Sequence, residues 1–323
     1  MSTNDSNVIS ILRFPLIIGV ICIHAQIGGN GGVYLQSLFG EELGRLAVPI
    51  FLMISGFLFY SEDKKFTKED YFLKIRKRIS TLLIPYLLWN LIAYICYAIR
   101  TDFNLIEFVK SFWIIDIPGR SGSSPIDGPL WYVRDLFIIM IISPIVYYVI
   151  KKGKFLALMA LLLLWVSGLS VFANGIYISF VFFVLGGYFR VNNIGVKDIK
   201  YGNLVLGLYL IFILVIPLSN SLSCITQVRN VVMIMGIYSC FYICNKINIT
   251  NTDSYKYLAS ATFFIYCCHD ILLSYIKIFM RMKIDNNILY LSIILLDLVF
   301  SFILFVVTTK CFPKLSKYLT GNR

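Results

Sequence analysis

Apolar runs long enough to cross a lipid bilayer recur along the whole 323-residue chain. A transmembrane helix needs about 17–25 such residues. Only 14% of the residues are charged, whereas soluble domains carry roughly a quarter. These features predict an all-α, polytopic transmembrane bundle that forms a single domain over residues 1–323. We place about ten spans, at 8–27, 44–60, 80–99, 130–150, 154–172, 175–191, 201–218, 226–245, 258–279 and 287–310.

The net charge of +12 follows the predicted loops. Lysine and arginine collect in the C-terminal tail and in the segments 61–79, 151–154, 190–200 and 246–256. The alternate loops near 28–43, 173–174 and 219–225 carry neither residue. By the positive-inside rule, both termini and the basic loops are expected in the cytoplasm, and the loop 100–129 outside. Topology accounts for the charge, so no nucleic-acid partner is expected.

The eight cysteines are scattered through apolar runs, where cysteine behaves as a small hydrophobic residue. No disulfide framework is implied. Cys267, Cys268 and His269 are contiguous, but no further ligand stands at metal-binding spacing. No metal ion is therefore expected.

Two polar side chains stand out in the first span. Arg13 and His24 have only apolar residues and one glycine between them. Their spacing of eleven residues is about three helical turns, so both project from one face, about 16 Å apart. Ionisable groups in hydrocarbon are costly and usually face a protein interior or a water-filled cavity, where they mark function. His24 can exchange protons near neutral pH, so it is a candidate base.

A basic cluster that includes Arg76, Lys77 and Arg78 precedes the third span. Such a cluster is typical of a topology signal facing anionic lipid, and arginines also bind phosphoryl groups bidentately. Both interpretations stay open. In the second span, Ser55 and Gly56 are small residues, which favour close helix packing.

Further polar residues lie in later spans. Trp131, Arg134 and Asp135 stand at the outer start of the fourth span, where an interfacial tryptophan is ordinary. Arg134 and Asp135 are neighbours about 100° apart on a helix, so we expect each to find a different partner. His269 lies within the ninth span, either as a satisfied buried histidine or as a functional residue.

In their order along the chain, these segments resemble the acyltransferase-3 family of bacterial integral membrane acyltransferases, from Ile9 to about residue 310. The matching segments are the Arg-x10-His spacing, Phe-Leu-Met-Ile-Ser-Gly-Phe, the basic cluster followed by Ile-Pro-Tyr-Leu-Leu-Trp, Pro-Leu-Trp-Tyr-Val-Arg-Asp-Leu, and Phe-Phe-Ile-Tyr-x-x-His. The resemblance implies that Arg13 and His24 are functional residues of an enzyme that acylates surface glycans and related molecules. A soluble SGNH-type domain, which the family often carries, is not expected here.

A second family motif, Arg-x-x-Arg, is half present. Arg78 fits its first position, but Thr81 stands where the second arginine would be. Arg76 and Lys77 are candidate substitutes for donor contact.

Acyl transfer from a thioester to a hydroxyl needs a base, a site for the donor's phosphates and stabilisation of the oxyanion. The expected donor is cytoplasmic acyl-CoA, with acetyl as the acyl group, acting as a co-substrate rather than a bound cofactor. Its phosphates would meet Arg13 and the basic cluster, and its thioester would reach His24. The acceptor would be a hydroxyl of a cell-surface or lipid-linked glycan at a bacterial cytoplasmic membrane.

Some roles are left open by the sequence. His24 would be either a base or a transient acyl carrier. The candidate acceptor or supporting residues are Trp131, Arg134, Asp135 and His269. The alternative function is a transporter or flippase for a lipid-linked or organic-anion substrate, which discontinuous helices in paired halves would support.

Overall fold

The computed structural model describes residues 3–27, 33–60, 66–98, 125–169, 174–195, 200–218, 226–247, 253–280 and 286–322, with residues 106, 109 and 112. All regular elements in these ranges are helices, which confirms the predicted all-α class. The α-helices are α1 (Thr3–His24), α2 (Val33–Gln36), α3 (Ala47–Phe59), α4 (Lys68–Arg78), α5 (Ile84–Ala98), α6 (Trp131–Ile141), α7 (Ser143–Val166), α8 (Asn174–Val191), α9 (Gly202–Val215), α10 (Thr226–Lys246), α11 (Asp253–Phe279), α12 (Asn286–Cys311) and α13 (Pro313–Leu319).

Six helical segments of the described residues are long and apolar enough to cross a membrane, and a seventh results if one bent pair is counted as a span. The segments 155–166, 175–191 and 202–218 are apolar helices of 10–17 residues. The prediction of about ten spans is therefore not confirmed. Large apolar side chains that are mostly exposed, such as Leu156, Ile211 and Leu295, give the bundle a surface suited to lipid.

The helical break near residue 150 lies elsewhere than predicted. The sequence places a boundary at 151–153, but α7 runs without interruption from Ser143 to Val166 and includes Lys151 and Lys152. The chain instead bends by 68° between α6 and α7. Pro144 explains the bend, because proline lacks the N–H that would donate to the Met140 carbonyl, and its ring would collide with that carbonyl in a continuous helix. The Tyr60 hydroxyl donates to the Ser143 carbonyl at 2.9 Å.

Two π-helical segments interrupt regular helix, Ser37–Leu43 before α3 and Ile79–Leu83 between α4 and α5. Such segments are rare and are frequent at functional sites. Pro85 cannot donate to the Thr81 carbonyl, so the backbone is free to depart from α-helical geometry here. That carbonyl packs against Gly321, where φ is +67° and a side chain would collide with it.

Helices α3 and α8 pack backbone against backbone. A Cβ added at Gly56 would collide with the Phe183 carbonyl, and one added at Gly186 would collide with the Met53 carbonyl. This confirms that Gly56 permits close helix approach.

Helices α1 and α11 run parallel. In the first turn of α11, the Tyr255 hydroxyl donates to the Ile11 carbonyl in the first half of α1, which Pro15 leaves without its helical donor. Near their last turns Lys277 donates to the His24 carbonyl. The parallel run agrees with the two helices entering the membrane from one side, as the basic loops predict.

Parts of the predicted topology fall outside the described residues. These are 61–65 in the lysine-rich loop and, apart from residues 106, 109 and 112, the stretch 99–124. The cytoplasmic location of the termini stays a prediction.

Candidate active site

His24 is the last residue of α1, and neighbouring helices hold this helix end in place. The final carbonyls of a helix have no intrahelical donor. Lys277 Nζ on α11 lies 2.6 Å from the His24 carbonyl and 2.9 Å from the Gln26 carbonyl, and it donates to both. The Tyr290 hydroxyl on α12 donates to the Cys22 carbonyl at 2.9 Å. The positive charge of Lys277 is also stabilised by the negative end of the α1 helix dipole.

The imidazole of His24 faces a carboxylate and a second imidazole on α11. Asp270 Oδ1 lies 3.8 Å from His24 Nδ1, and the side chains are 37% and 29% exposed. The ring of His269 packs edge-on at 5.3 Å between centroids. The structure therefore brings the two histidines of the chain together. It also adds Asp270, which was not among the predicted site residues although it directly follows His269.

His269 has a defined hydrogen-bonding state on one side of its ring. Its Nδ1 lies 2.7 Å from the Tyr266 carbonyl. A carbonyl only accepts, so Nδ1 carries the hydrogen. Nε2 is buried and has no hydrogen-bond partner among the described residues. In the neutral ring Nε2 is therefore a hydrogen-bond acceptor, and this ring packs against that of His24.

Two more buried carboxyls lie in this region. Asp127 and Asp297 are 2% and 0% exposed, and none of their carboxyl oxygens has a hydrogen-bond partner in the described ranges. Burial raises the pKa of Asp127 well above its usual range, and the nearby Asp270 carboxylate raises it further. A Cβ added at Gly128 would lie 3.5 Å from Asp270 Oδ2, so this carboxylate rests against the turn that follows Asp127.

An ion-pair network adjoins the end of α1. Gln26 donates to Glu41 Oε1 at 2.8 Å. Arg229 on α10 bridges Glu41 at 3.3 Å and Glu42 at 3.1 Å, and Arg45 also pairs with Glu41. Both carboxylates and both guanidinium groups line a cavity of about 240 Å³. The structure thus places a polar cavity beside the helix end that carries His24.

A larger cavity of about 490 Å³ lies toward the other end of α1, and we call it the cationic cavity. Arg13 and Arg78 both line it, together with Ser55 and Tyr132. Two predicted donor-binding residues, from α1 and α4, therefore meet in one cavity. Its volume is in the range of small-molecule sites, about 300–1,000 Å³.

Arg76 and Lys77 do not belong to this cavity. Both side chains are exposed on α4, and neither lines the cavity wall. Thr81 is buried and does not line it either. Of the predicted basic cluster, Arg78 is thus the residue placed with Arg13.

Tyr266 connects the cationic cavity to His24 through His269. Its side chain lines the cavity, and its hydroxyl donates to the Pro129 carbonyl. Its ring centroid lies 6.0 Å from that of His269, which in turn contacts His24. A chain of ring contacts therefore connects the wall of the cavity to the imidazole of His24.

Trp131, Arg134 and Asp135 lie on α6, and none of them lines the cationic cavity. Arg134 Nε donates to Asp135 Oδ1 at 2.9 Å, and both side chains are buried. The expectation that these neighbours find different partners is wrong in this respect, because the long arginine side chain folds back onto the adjacent carboxylate. A Cβ added at Gly175 would lie 3.1 Å from Asp135 Oδ2 and 3.3 Å from the Trp131 ring, so both face α8.

Within the described ranges, no group of three or more His, Cys, Asp or Glu residues is arranged to hold a metal ion.

Comparison with known proteins links this arrangement to a family. A family model described as an acyltransferase domain matches residues 7–309. The succinoglycan biosynthesis protein ExoH of Rhizobium meliloti (strain 1021) is 26% identical over 217 residues, which is 61% of this chain and 57% of that protein. The matched part thus spans little more than half of that relative. No solved structure matches the chain.

Proposed function

This chain is a member of the acyltransferase-3 family of integral membrane acyltransferases, and from that premise we propose that it transfers an acyl group from acyl-CoA to a glycan hydroxyl. The proposed acyl group is acetyl. The proposed acceptor is a cell-surface or lipid-linked saccharide at a bacterial cytoplasmic membrane. The name of its relative, a succinoglycan biosynthesis protein, supports a polysaccharide acceptor.

The observation that carries this proposal is the His24–Asp270 pair at the end of α1, together with the cationic cavity that Tyr266 lines. A carboxylate beside an imidazole orients the ring and stabilises the imidazolium that forms when the ring accepts a proton. The two arginines supply the charge that binds phosphoryl groups. A base and a phosphate site are two of the three parts that acyl transfer from a thioester requires; the third is stabilisation of the oxyanion.

In the proposed reaction, His24 takes the proton of the acceptor hydroxyl while that oxygen attacks the thioester carbonyl. The carbon–oxygen bond forms and the carbon–sulfur bond breaks. The proton then passes from His24 to the departing thiolate, so the products are the acylated glycan and free CoA. The neighbouring Asp270 favours the base role over a transient acyl-imidazole, because it stabilises a positively charged ring.

The donor would enter beside Arg13 and Arg78, and the acceptor would arrive from the polar cavity beside Gln26. Glu41, Glu42 and Arg229 offer hydrogen-bonding groups that suit saccharide hydroxyls. This division places the two substrates on opposite sides of His24.

Transport is the competing function. Transporters built from two halves have broken helices in corresponding positions. The described residues contain one bent pair, α6 with α7. A single break does not favour a two-half transporter over an enzyme.

Mass spectrometry of surface polysaccharide from cells with and without the gene tests the proposal. Loss of a specific acyl group, restored by the wild-type gene, is expected. An unchanged acylation pattern together with altered amounts of polysaccharide at the surface would instead indicate transport.

A further inference from the structure

The polar cavity beside Gln26 has balanced charge. Two carboxylates, Glu41 and Glu42, and two guanidinium groups, Arg45 and Arg229, line it. Arg229 Nη2 lies 3.3 Å from Glu41 Oε2 and 3.1 Å from Glu42 Oε1, and Arg45 also pairs with Glu41. Among the described residues that line this cavity, every cation is therefore already paired with a carboxylate.

The sequence next to the cavity adds no further charge. The cavity is formed by the π-helical segment Ser37–Leu43 and the first turns of α10. Residues 28–32 and 219–225, which shortly precede these two elements, include no charged residue. Lys277 contacts Gln26, but it donates to two carbonyls and does not line the cavity.

Close packing ties the polar cavity to the end of α1. A Cβ added at Gly40 would lie 2.6 Å from Gln26 Nε2, so glycine leaves room for this side chain. The Gln26 side chain donates to Glu41 Oε1 at 2.8 Å. The Gln26 carbonyl shares the ammonium group of Lys277 with the His24 carbonyl. A sugar bound in this cavity would therefore lie beside the helix end that carries the proposed base.

The elements around the polar cavity adjoin three loops that carry no lysine or arginine, 28–43, 173–174 and 219–225. Glu41 and Glu42 belong to the first loop, and α10 begins directly after the third. The last turn of α7, which leads toward the second, is joined to α10 because the Asn230 side chain donates to the Trp165 carbonyl at 3.0 Å. The positive-inside rule predicts all three loops outside, on the side of a surface glycan.

Glu42 and Arg229 keep hydrogen-bonding capacity beyond their ion pair. Both hydrogen bonds of Arg229 come from Nη2, and the side chain is 28% exposed. Its Nη1 and Nε can still donate to hydroxyl oxygens. Glu42 accepts through Oε1, and its Oε2 has no hydrogen-bond partner within the described ranges.

We propose that the polar cavity selects an uncharged sugar as the acceptor, with Glu42 and Arg229 as the specificity-determining residues. The inference rests on the proposed function and names its substrate class. A neutral sugar presents hydroxyl groups that both donate and accept, so it can bind carboxylate oxygens and guanidinium N–H groups together. An acidic sugar would bring a further negative charge beside two carboxylates, where both arginines are already paired, and such like-charge contacts act against binding.

The test uses membranes that contain the full-length protein, with acetyl-CoA as donor and surface polysaccharide from cells that lack the gene as acceptor. Mass spectrometry of the product assigns the transferred acyl group to one sugar, and we expect an uncharged one. Release of CoA thiol gives the apparent KM for each substrate. Glu42→Gln should raise the KM for polysaccharide roughly tenfold or more, the loss typical of one charge-assisted hydrogen bond, and leave the KM for acetyl-CoA near the wild-type value.

Arg229→Lys is the second variant, because it keeps the positive charge between the two carboxylates and loses the nitrogens of the planar fork. It should also raise the KM for polysaccharide alone. Glu69→Gln is the matched control, since Glu69 is an exposed carboxylate on α4 that does not line the polar cavity. A purely structural role of the ion pair would instead lower the amount of protein in the membrane, which an immunoblot measures, or change both KM values.

Two results would overturn the inference and leave acyl transfer itself standing. One is an acyl group on a uronic acid or another charged sugar. The other is a KM for polysaccharide that is the same in Glu42→Gln, Arg229→Lys and Glu69→Gln. If wild type transfers no acyl group and deletion of the gene changes none at the cell surface, the proposed function fails, and the inference fails with it.

Discussion

Asp270→Asn tests whether the carboxylate beside His24 assists catalysis, because asparagine keeps the shape and removes the charge. The separation of 3.8 Å between His24 Nδ1 and Asp270 Oδ1 exceeds ordinary hydrogen-bond distance. The effect should therefore be mainly electrostatic. Two unit charges about 4 Å apart interact by about 1 kcal/mol in water and about 4 kcal/mol near a protein surface. For this pair, whose side chains are about one-third exposed, we expect the lower part of that range, which corresponds to a loss of roughly 10- to 100-fold in kcat.

The assay follows release of CoA thiol from acetyl-CoA in membranes that carry the variant and the acceptor polysaccharide. The apparent KM for acetyl-CoA should stay near the wild-type value, since Asp270 does not line the cationic cavity. Asp270→Glu should recover part of the rate. Glu69→Gln is the matched control, because Glu69 is an exposed carboxylate on α4. A kcat of Asp270→Asn equal to that of the control, or a loss confined to KM, would refute the reasoning.

Three further predictions address the site and the topology. His24→Ala should abolish acylation detected by mass spectrometry while the protein still inserts, because alanine is easier to insert than histidine; normal modification would exclude His24 as the base. Arg13→Lys should weaken CoA binding several-fold in a titration because the planar fork is lost, and unchanged affinity would assign Arg13 to packing or topology. In a background without reactive native thiols, cysteines at Ser61 and Ser316 should be labelled from the cytoplasm and one at Ser121 from outside. Labelling of the Ser121 position only from the cytoplasm would exchange the donor and acceptor sides.

The helical fold class and the placement of Arg13 and His24 on one helix could be predicted, because both depend on local sequence patterns. Long apolar runs leave helices as the fold in lipid, since every backbone polar group must be paired within the chain. The spacing of Arg13 and His24 placed both on one helix, and α1 contains both. The bend at Pro144 could also be predicted from the sequence, because proline in a helical run indicates a break or kink.

The partners of these residues could not be predicted, because they come from α11, which lies more than 200 residues away in sequence. In the sequence, Lys277 and Lys256 are ordinary basic residues near the ends of a span. Their positions at the His24 carbonyl and at the cationic cavity follow from the packing of α11 on α1. For Asp270 and Asp297 a signal existed, since a carboxyl within an apolar span is costly and marks function as His24 does. Asp297 is the lone acidic residue of α12.

The parallel pair of α1 and α11 sets the distance between the proposed phosphate site and the proposed base. Each helix contributes a cation to the cavity, Arg13 and Lys256, and an ionisable group to the base, His24 and Asp270. The two are eleven residues apart on α1 and fourteen apart on α11, or about 16 Å and 21 Å of helix. Contacts near both ends of α11, to the Ile11 and His24 carbonyls of α1, hold the two helices in register. A donor held by its phosphates would therefore present its thioester at a set depth, where the last turn of α1 carries the base.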